Sequence, residues 1–387
     1  MAKVSMKTRR EIIGRHKGRY QKATKKQKGK ILDSVCMDTG LSRDRAARLL
    51  SEKTKSTKQQ SAKKRGRKPI YGEDVVAALK EVWVYADFIC GKRLVEAIPD
   101  LLDALIRFGE VDYSADMARK LKRMSASTMD RLLKKEKARM QLKGRSTTKP
   151  GSLLKKDIPL RLGTEWSDAE PGFVETDLVA HCGASTAGEY INSLIVTDIS
   201  SGWTEPIAVI NKAQRHVFAA LMIVKERQPF EFRGIDSDNG SEFINAHLYN
   251  YCKQEGILFT RSRPYQKNDN CHVEQKNWTW VRQNIGYGRY EGAEALRVLN
   301  EYYELQRLYI NFFLPSTKLL ERVRNGAYIK KKYEKPMTPY RRLLCSDKII
   351  DEVKEGLRAT FLSLNPAALK RDMMKLLEKL EKLRLPS

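Results

Sequence analysis

Over the first 140 residues, apolar side chains recur every three or four positions, the period of a helix. Residues 8–21 and 26–38 each carry a modest apolar face. Thr39-Gly40-Leu41-Ser42 then breaks the pattern, and Ser42 offers an N-cap to RDRAARLLSEK, which turns Ala46, Leu49 and Leu50 to one side. Residues 53–69 hold almost no large apolar side chain and read as a linker. From 72 to 140 the helical pattern returns, with Val75, Val76, Leu79, Val82 and Trp83 on one stripe. Leu94, Ile98, Leu101, Leu102, Leu105 and Ile106 continue that core. Ser114 caps a short helix, Met124-Ser125 marks a turn, and Ser127-Thr128 opens a helix with Met129, Leu132 and Leu133 inward. Both regions end in helix, tight turn and capped basic helix, the layout of a helix-turn-helix.

A basic Pro/Gly-containing linker follows at 141–165, and from 171 the period changes to that of strands. FVETDLVAH, EYINSLIVTDIS and GWTEPIAVI are three runs with tight connections. Helix is expected over 213–226, strand over 232–236, helix over 241–254, strand over 257–261 and helix from about 272. Three meander strands followed by alternating helix and strand is the order of a ribonuclease-H-like α/β domain. Residues 291–332 read as further helix. In 366–385, Leu369, Met373, Leu376, Leu380 and Leu383 form a seam of about two heptads, too short to hold a dimer alone, so packing against its own domain is expected.

Charge sharpens this picture. Residues 1–70 hold 23 Lys and Arg against 5 Asp and Glu, a balance of +18 out of a total of +27, whereas residues 151–290 hold 15 against 17. A basic arm ahead of a near-neutral, acid-containing core suits a protein that grips a polyanion in one place and works on it in another. Arg43, Arg45 and Arg48 on the first basic helix, and Arg131, Lys134 and Lys135 on the second, are the expected major-groove contacts. Arg65-Gly66-Arg67 resembles a minor-groove hook. The six scattered cysteines form no CxxC pair, as expected of reduced thiols. No run of eighteen apolar residues and no apolar leader appear, so a soluble, cytoplasmic protein associated with the nucleoid is expected.

The candidate chemistry lies in three acids. Asp177 sits within the strand ETDLV, Asp238 in SDNGSEF just past the fourth strand, and Glu274 ahead of a helical pattern, with 35 residues between the last two. Carboxylates about 4 Å apart repel by roughly 4 kcal/mol at an effective dielectric of 20, so such a cluster needs a cation. Asp236 and Glu175, each two residues from a favoured acid, are the competitors, and Glu242 is expected to open the following helix. His181-Cys182 and Cys271-His272 lack the ligand spacing of a zinc site.

With Pro264-Tyr265 leading to Glu274, Lys276 and Asn277 behind it, and TPYRRL at 338–343, these motifs resemble the DDE recombinases, the superfamily of retroviral integrases and insertion-sequence transposases. The resemblance covers about residues 165–345. It implies a multidomain protein: all-α helix-turn-helix domains at 1–52 and 71–145, linkers at 53–70 and 146–165, a ribonuclease-H-like integrase catalytic core at 166–330, and a helical region at 331–387. It further implies that Asp177, Asp238 and Glu274 hold two Mg²⁺ ions (or Mn²⁺), Asp177 bridging them. Water then exposes a 3′-hydroxyl at an element end, and that hydroxyl attacks target DNA. The loop 264–272 would close on DNA, with Lys267 and Lys276 near the scissile phosphate. Double-stranded DNA and further copies of the chain are the implied partners, in a bacterial cell. The sequence departs from viral enzymes in lacking a His-His-Cys-Cys module and a visible C-terminal β-barrel. A transposase-derived DNA-binding regulator without activity is the alternative, and a nuclease on the same core a third reading.

Overall fold

The computed structural model describes residues 6–52, 70–140, 170–237, 242–243, 246–261, 276–326 and 328–385. It divides into two compact units, residues 1–69 and 70–387.

The first unit is three helices, α1 (Met6–Lys22), α2 (Lys25–Thr39) and α3 (Arg43–Ser51). Gly40 ends α2 in the left-handed region at φ 65°, its N–H returning to the Cys36 carbonyl, a conformation in which glycine has no Cβ to clash. Tyr20, Leu32, Val35, Ala46 and Leu50 make a small core of their own.

The second unit begins with α4 (Glu73–Tyr85), α5 (Gly91–Arg107), α6 (Ala115–Arg123) and α7 (Ala126–Met140). Ser114 caps α6 by accepting from the Met117 N–H, and Ser125 accepts from the Thr128 N–H at the start of α7. The N-terminus of α5 touches α7 so closely that a Cβ on Gly91 would lie 2.4 Å from the Ala126 carbonyl oxygen.

A five-stranded sheet follows in the order β3-β2-β1-β4-β5. Its strands are β1 (Phe173–Ala180), β2 (Asn192–Asp198), β3 (Thr204–Val209), β4 (Gly234–Ser237) and β5 (Leu258–Arg261). β1–β2 and β2–β3 pair antiparallel, β1–β4 and β4–β5 parallel. Helix α8 (Gln214–Arg227) joins β3 to β4, and α9 (Ala246–Gln254) precedes β5. This is the expected mixed sheet of a ribonuclease-H-like core. Glu242 lies in a turn, and α9 begins at Ala246, short of the expected start.

One face of the sheet packs on α8 and α9 through Val217, Leu221, Val224, Leu248 and Cys252. The other is covered by α10 (Gly292–Phe313). Two asparagines of α10 clamp the edge strand. Asn300 bonds both the N–H and the carbonyl of Ala208, and Asn311 does the same for Thr204, at 2.8–3.1 Å. These side chains replace the missing neighbour strand.

Helix α10 ends at Phe313. The stretch expected to continue as helix instead folds into a hairpin, β6 (Leu319–Asn325) with β7 (Tyr328–Tyr333). Gly326, at φ 60°, follows β6 at the tight turn. Then come α11 (Pro339–Cys345), α12 (Asp351–Ser363) and α13 (Pro366–Lys382). Leu369, Met373 and Leu380 of α13 are buried, and the helix packs on α10, α5 and α4.

One apolar cluster therefore runs from Val75 through α10 to Leu380. Polar ties cross it as well. Arg341 pairs with Asp100, Arg371 with Glu110, and Tyr309 donates to the Tyr85 carbonyl. The helices of 71–140, the sheet and the C-terminal helices share this core.

Candidate active site

Strand β1 is where the sheet changes sense: its neighbour on one side is antiparallel, on the other parallel. Crevices form at the carboxyl ends of strands at such a switch. Asp177 stands near that end of β1, half-buried. Its Oδ1 accepts the N–H of Leu178 at 2.8 Å, and its Oδ2 accepts Nδ2 of Asn277 at 2.6 Å.

The parallel register pairs Thr176 with Ser237, the last residue of β4. Asp238, the next residue in the chain, lies outside the described residues, as do Glu274 and the loop 264–272. Among the described residues, no three His, Cys, Asp or Glu side chains gather at metal-holding distance; of the three expected ligands, Asp177 alone belongs to that set.

The competing acids have structural surroundings. Glu175 and Asp236 are register partners on the two parallel strands, 3% and 5% exposed. Asp236 Oδ1 accepts the Thr260 hydroxyl at 2.6 Å. His181 is fully buried, with Nε2 2.7 Å from the Ser193 hydroxyl, which in turn meets Tyr303. Burial, aided by Arg282, pushes its pKa down to about 3, so it is a neutral core side chain. Cys182 bonds its neighbour's carbonyl, and Cys271 and His272 lie outside the described residues.

Asn277 opens a π-helix, Asn277–Arg282. Such wide turns recur at functional sites, and a helical period cannot reveal one. Arg282 bonds the Ala180 carbonyl and Gln306 the Trp280 carbonyl, fixing this turn between β1 and α10. Asn277 thus carries a role that spacing alone did not assign, although the Lys-Asn pair after Glu274 flagged its position.

Lys276 departs from expectation. Its Nζ turns inward, 3.4 Å from the Gly202 carbonyl and 5.4 Å from the Trp280 ring centre. There it lines a cavity of about 630 Å³ together with Arg93, Gln306 and Tyr309. Desolvation, then repulsion from Arg342 and Arg93, brings its pKa down to about 7. The residue is half-buried and its ammonium is desolvated.

The remaining cations stand as follows. Arg43, Arg45 and Arg48 are exposed along α3, Arg43 pairing with Asp33. Arg131, Lys134 and Lys135 are exposed along α7. Arg65, Arg67 and Lys267 lie outside the described residues. No helix among the described residues is long and apolar enough to cross a membrane.

Residues 167–267 match the family model of the integrase core domain. The uncharacterized protein y4rM of Sinorhizobium fredii (strain NBRC 101917 / NGR234) is 40% identical over 347 residues, 89% of this chain and 97% of that protein. Among solved structures, the catalytic core domain of BIV integrase is similar at 16% identity and a TM-score of 0.28, over 44% of this chain and 91% of that one. The HTLV-2 integrase catalytic core domain, solved in complex with magnesium in a trimeric form, is similar at 16% identity and a TM-score of 0.24, over 30% and 69%.

Proposed function

Because residues 167–267 match the integrase core domain, we propose that the chain is a DNA transposase of the DDE superfamily that cuts and joins DNA strands. The single observation that carries the reading is the 2.6 Å hydrogen bond from Asn277 to Asp177. It ties the chain three residues past Glu274 to the acid of β1. On the other flank, β4 ends beside Thr176, one residue before Asp238.

The donor chemistry fits the expected ions. Asp177, Asp238 and Glu274 offer carboxylate oxygens alone, the set that Mg²⁺ and Mn²⁺ prefer. These three residues would hold the ions, which supply activation of the attacking oxygen and stabilisation of the leaving one. The chain's own part is orientation. The Leu178 N–H and Asn277 each hold one oxygen of Asp177, so its carboxylate keeps one rotamer. The reaction is two substitutions at phosphorus: water first releases a 3′-hydroxyl, which then displaces the 3′-oxygen of a target phosphodiester. No bond to the protein forms in either step.

DNA is delivered by the basic faces of α3 and α7, through Arg43, Arg45, Arg48, Arg131, Lys134 and Lys135, with Arg65 and Arg67 entering the minor groove and Lys267 adding a phosphate contact. Asp238→Asn or Glu274→Gln should abolish Mg²⁺-dependent nicking of a labelled duplex while leaving DNA affinity nearly unchanged. Retained nicking removes the substituted residue from the site.

A further inference from the structure

The β6–β7 ribbon stands apart from the five-stranded sheet, and among the described residues no third strand pairs with it. Every residue of β7 is exposed, as are Leu319, Leu320, Val323 and Arg324 of β6. A lone hairpin is marginal in water, and one exposed on both faces calls for a partner. Its composition says which kind. Residues 319–335 hold six Lys and Arg against two acids. Lys335 is paired with Glu96, but Lys330, Lys331 and Lys332 make no ion pair among the described residues.

Successive strand residues point to opposite faces. Lys331 therefore lies on one face, and Lys330 and Lys332 on the other. Tyr328, 84% exposed, stands beside the turn. A protein surface covering this ribbon would have to desolvate ammonium groups on both of its faces, a cost of several kcal/mol per ion unless each is paired. A duplex groove presents phosphates on both of its walls instead. The major groove, about 12 Å wide, admits a two-stranded ribbon. Six residues of strand reach about 20 Å, or roughly six base pairs at 3.4 Å each.

We propose that the β6–β7 ribbon is a further DNA-binding element, which grips duplex DNA by its phosphates without reading sequence, through Lys330, Lys331 and Lys332. The inference rests on the reading of the chain as a DNA-processing protein, and deepens it by adding a contact surface outside the basic helices.

The test is equilibrium binding of the full chain to a random-sequence duplex in EDTA, so that no cutting is required. Lys330→Gln/Lys331→Gln/Lys332→Gln should make the slope of log affinity against log salt shallower by about 2.7. It should also lower affinity at 0.1 M salt on the order of a hundredfold. The Lys→Arg triple variant should restore both, which separates lost charge from a misfolded hairpin. Equal slopes for the wild type and the glutamine variant overturn the ribbon alone. Loss of self-association by sedimentation velocity, with DNA affinity intact, overturns it in favour of a contact between copies of the chain. A wild-type chain with no affinity for DNA overturns the ribbon and the proposed function together.

Discussion

In the proposed site, Asn277 does for Asp177 what a hydrogen-bonded partner does for any charged ligand: it narrows the directions in which the carboxylate can point. Outer partners of this kind are worth about 10- to 100-fold in metal affinity or activity. Asn277→Leu should therefore raise the Mg²⁺ concentration for half-maximal nicking about tenfold or more, with DNA affinity in EDTA unchanged. A lowered maximal rate at an unshifted Mg²⁺ requirement would count against a positioning role. Glu205 makes a different residue-scale case. Burial pushes its pKa up to about 7, despite the nearby Arg307 and a hydrogen bond from the Trp203 indole. The folded value is raised, so stability is complete below the ordinary carboxyl pKa and is lost as pH rises through about 7. Glu205→Gln should match the wild type near pH 4 and exceed it at pH 8 by about 3 kcal/mol, read as a widening gap in Tm. A gap that does not change with pH would remove Glu205 as its source. The sequence flagged Asn277 only by its place behind Glu274 and Glu205 not at all, because burial and a partner 100 residues away are properties of the fold. Asp177 lies on β1, where the apolar residues around it predicted a strand.

Among the elements, the strands were legible where period-2 alternation and tight turns coincide, and so were the helix breaks at Gly40 and Ser125. The β6–β7 hairpin was not. Its apolar and basic residues face solvent on both sides, so no buried face imposes alternation. The π-helix escaped for a related reason, being one wide turn set by contacts to β1 and α10 rather than by a repeat. The clamp of α10 on β3 shows how much of an element's stability lies in another. Asn311 is fully buried and satisfies both the N–H and the carbonyl of Thr204. Asn311→Leu would leave both backbone groups without those partners, at about 1–3 kcal/mol for each buried group. A fall in the urea midpoint with unchanged m-value is expected. A midpoint within error of the wild type would mean that the edge of β3 finds other partners.

At the scale of the whole molecule, the helices of 71–140 looked from sequence like a second freestanding reader of DNA, because basic linkers flank them. The structure gives them one core with α10 and α13, a union of residues some 250 positions apart that no local period encodes. The first unit is different, with its own small core and most of the chain's net positive charge. Its removal should thus separate binding from folding. A chain of residues 70–387 should unfold cooperatively with near-native helix content, since its core is complete without residues 1–69. Its DNA affinity should respond less steeply to salt. If about five phosphate contacts leave with the arm, the slope becomes shallower by about 4.5. Circular dichroism and a salt titration of binding read the two halves independently. A shortened chain that folds and keeps the full slope would place DNA gripping in the second unit alone, on α7 and the ribbon. One that fails to fold would show that the arm contributes to a core from which it looks separate.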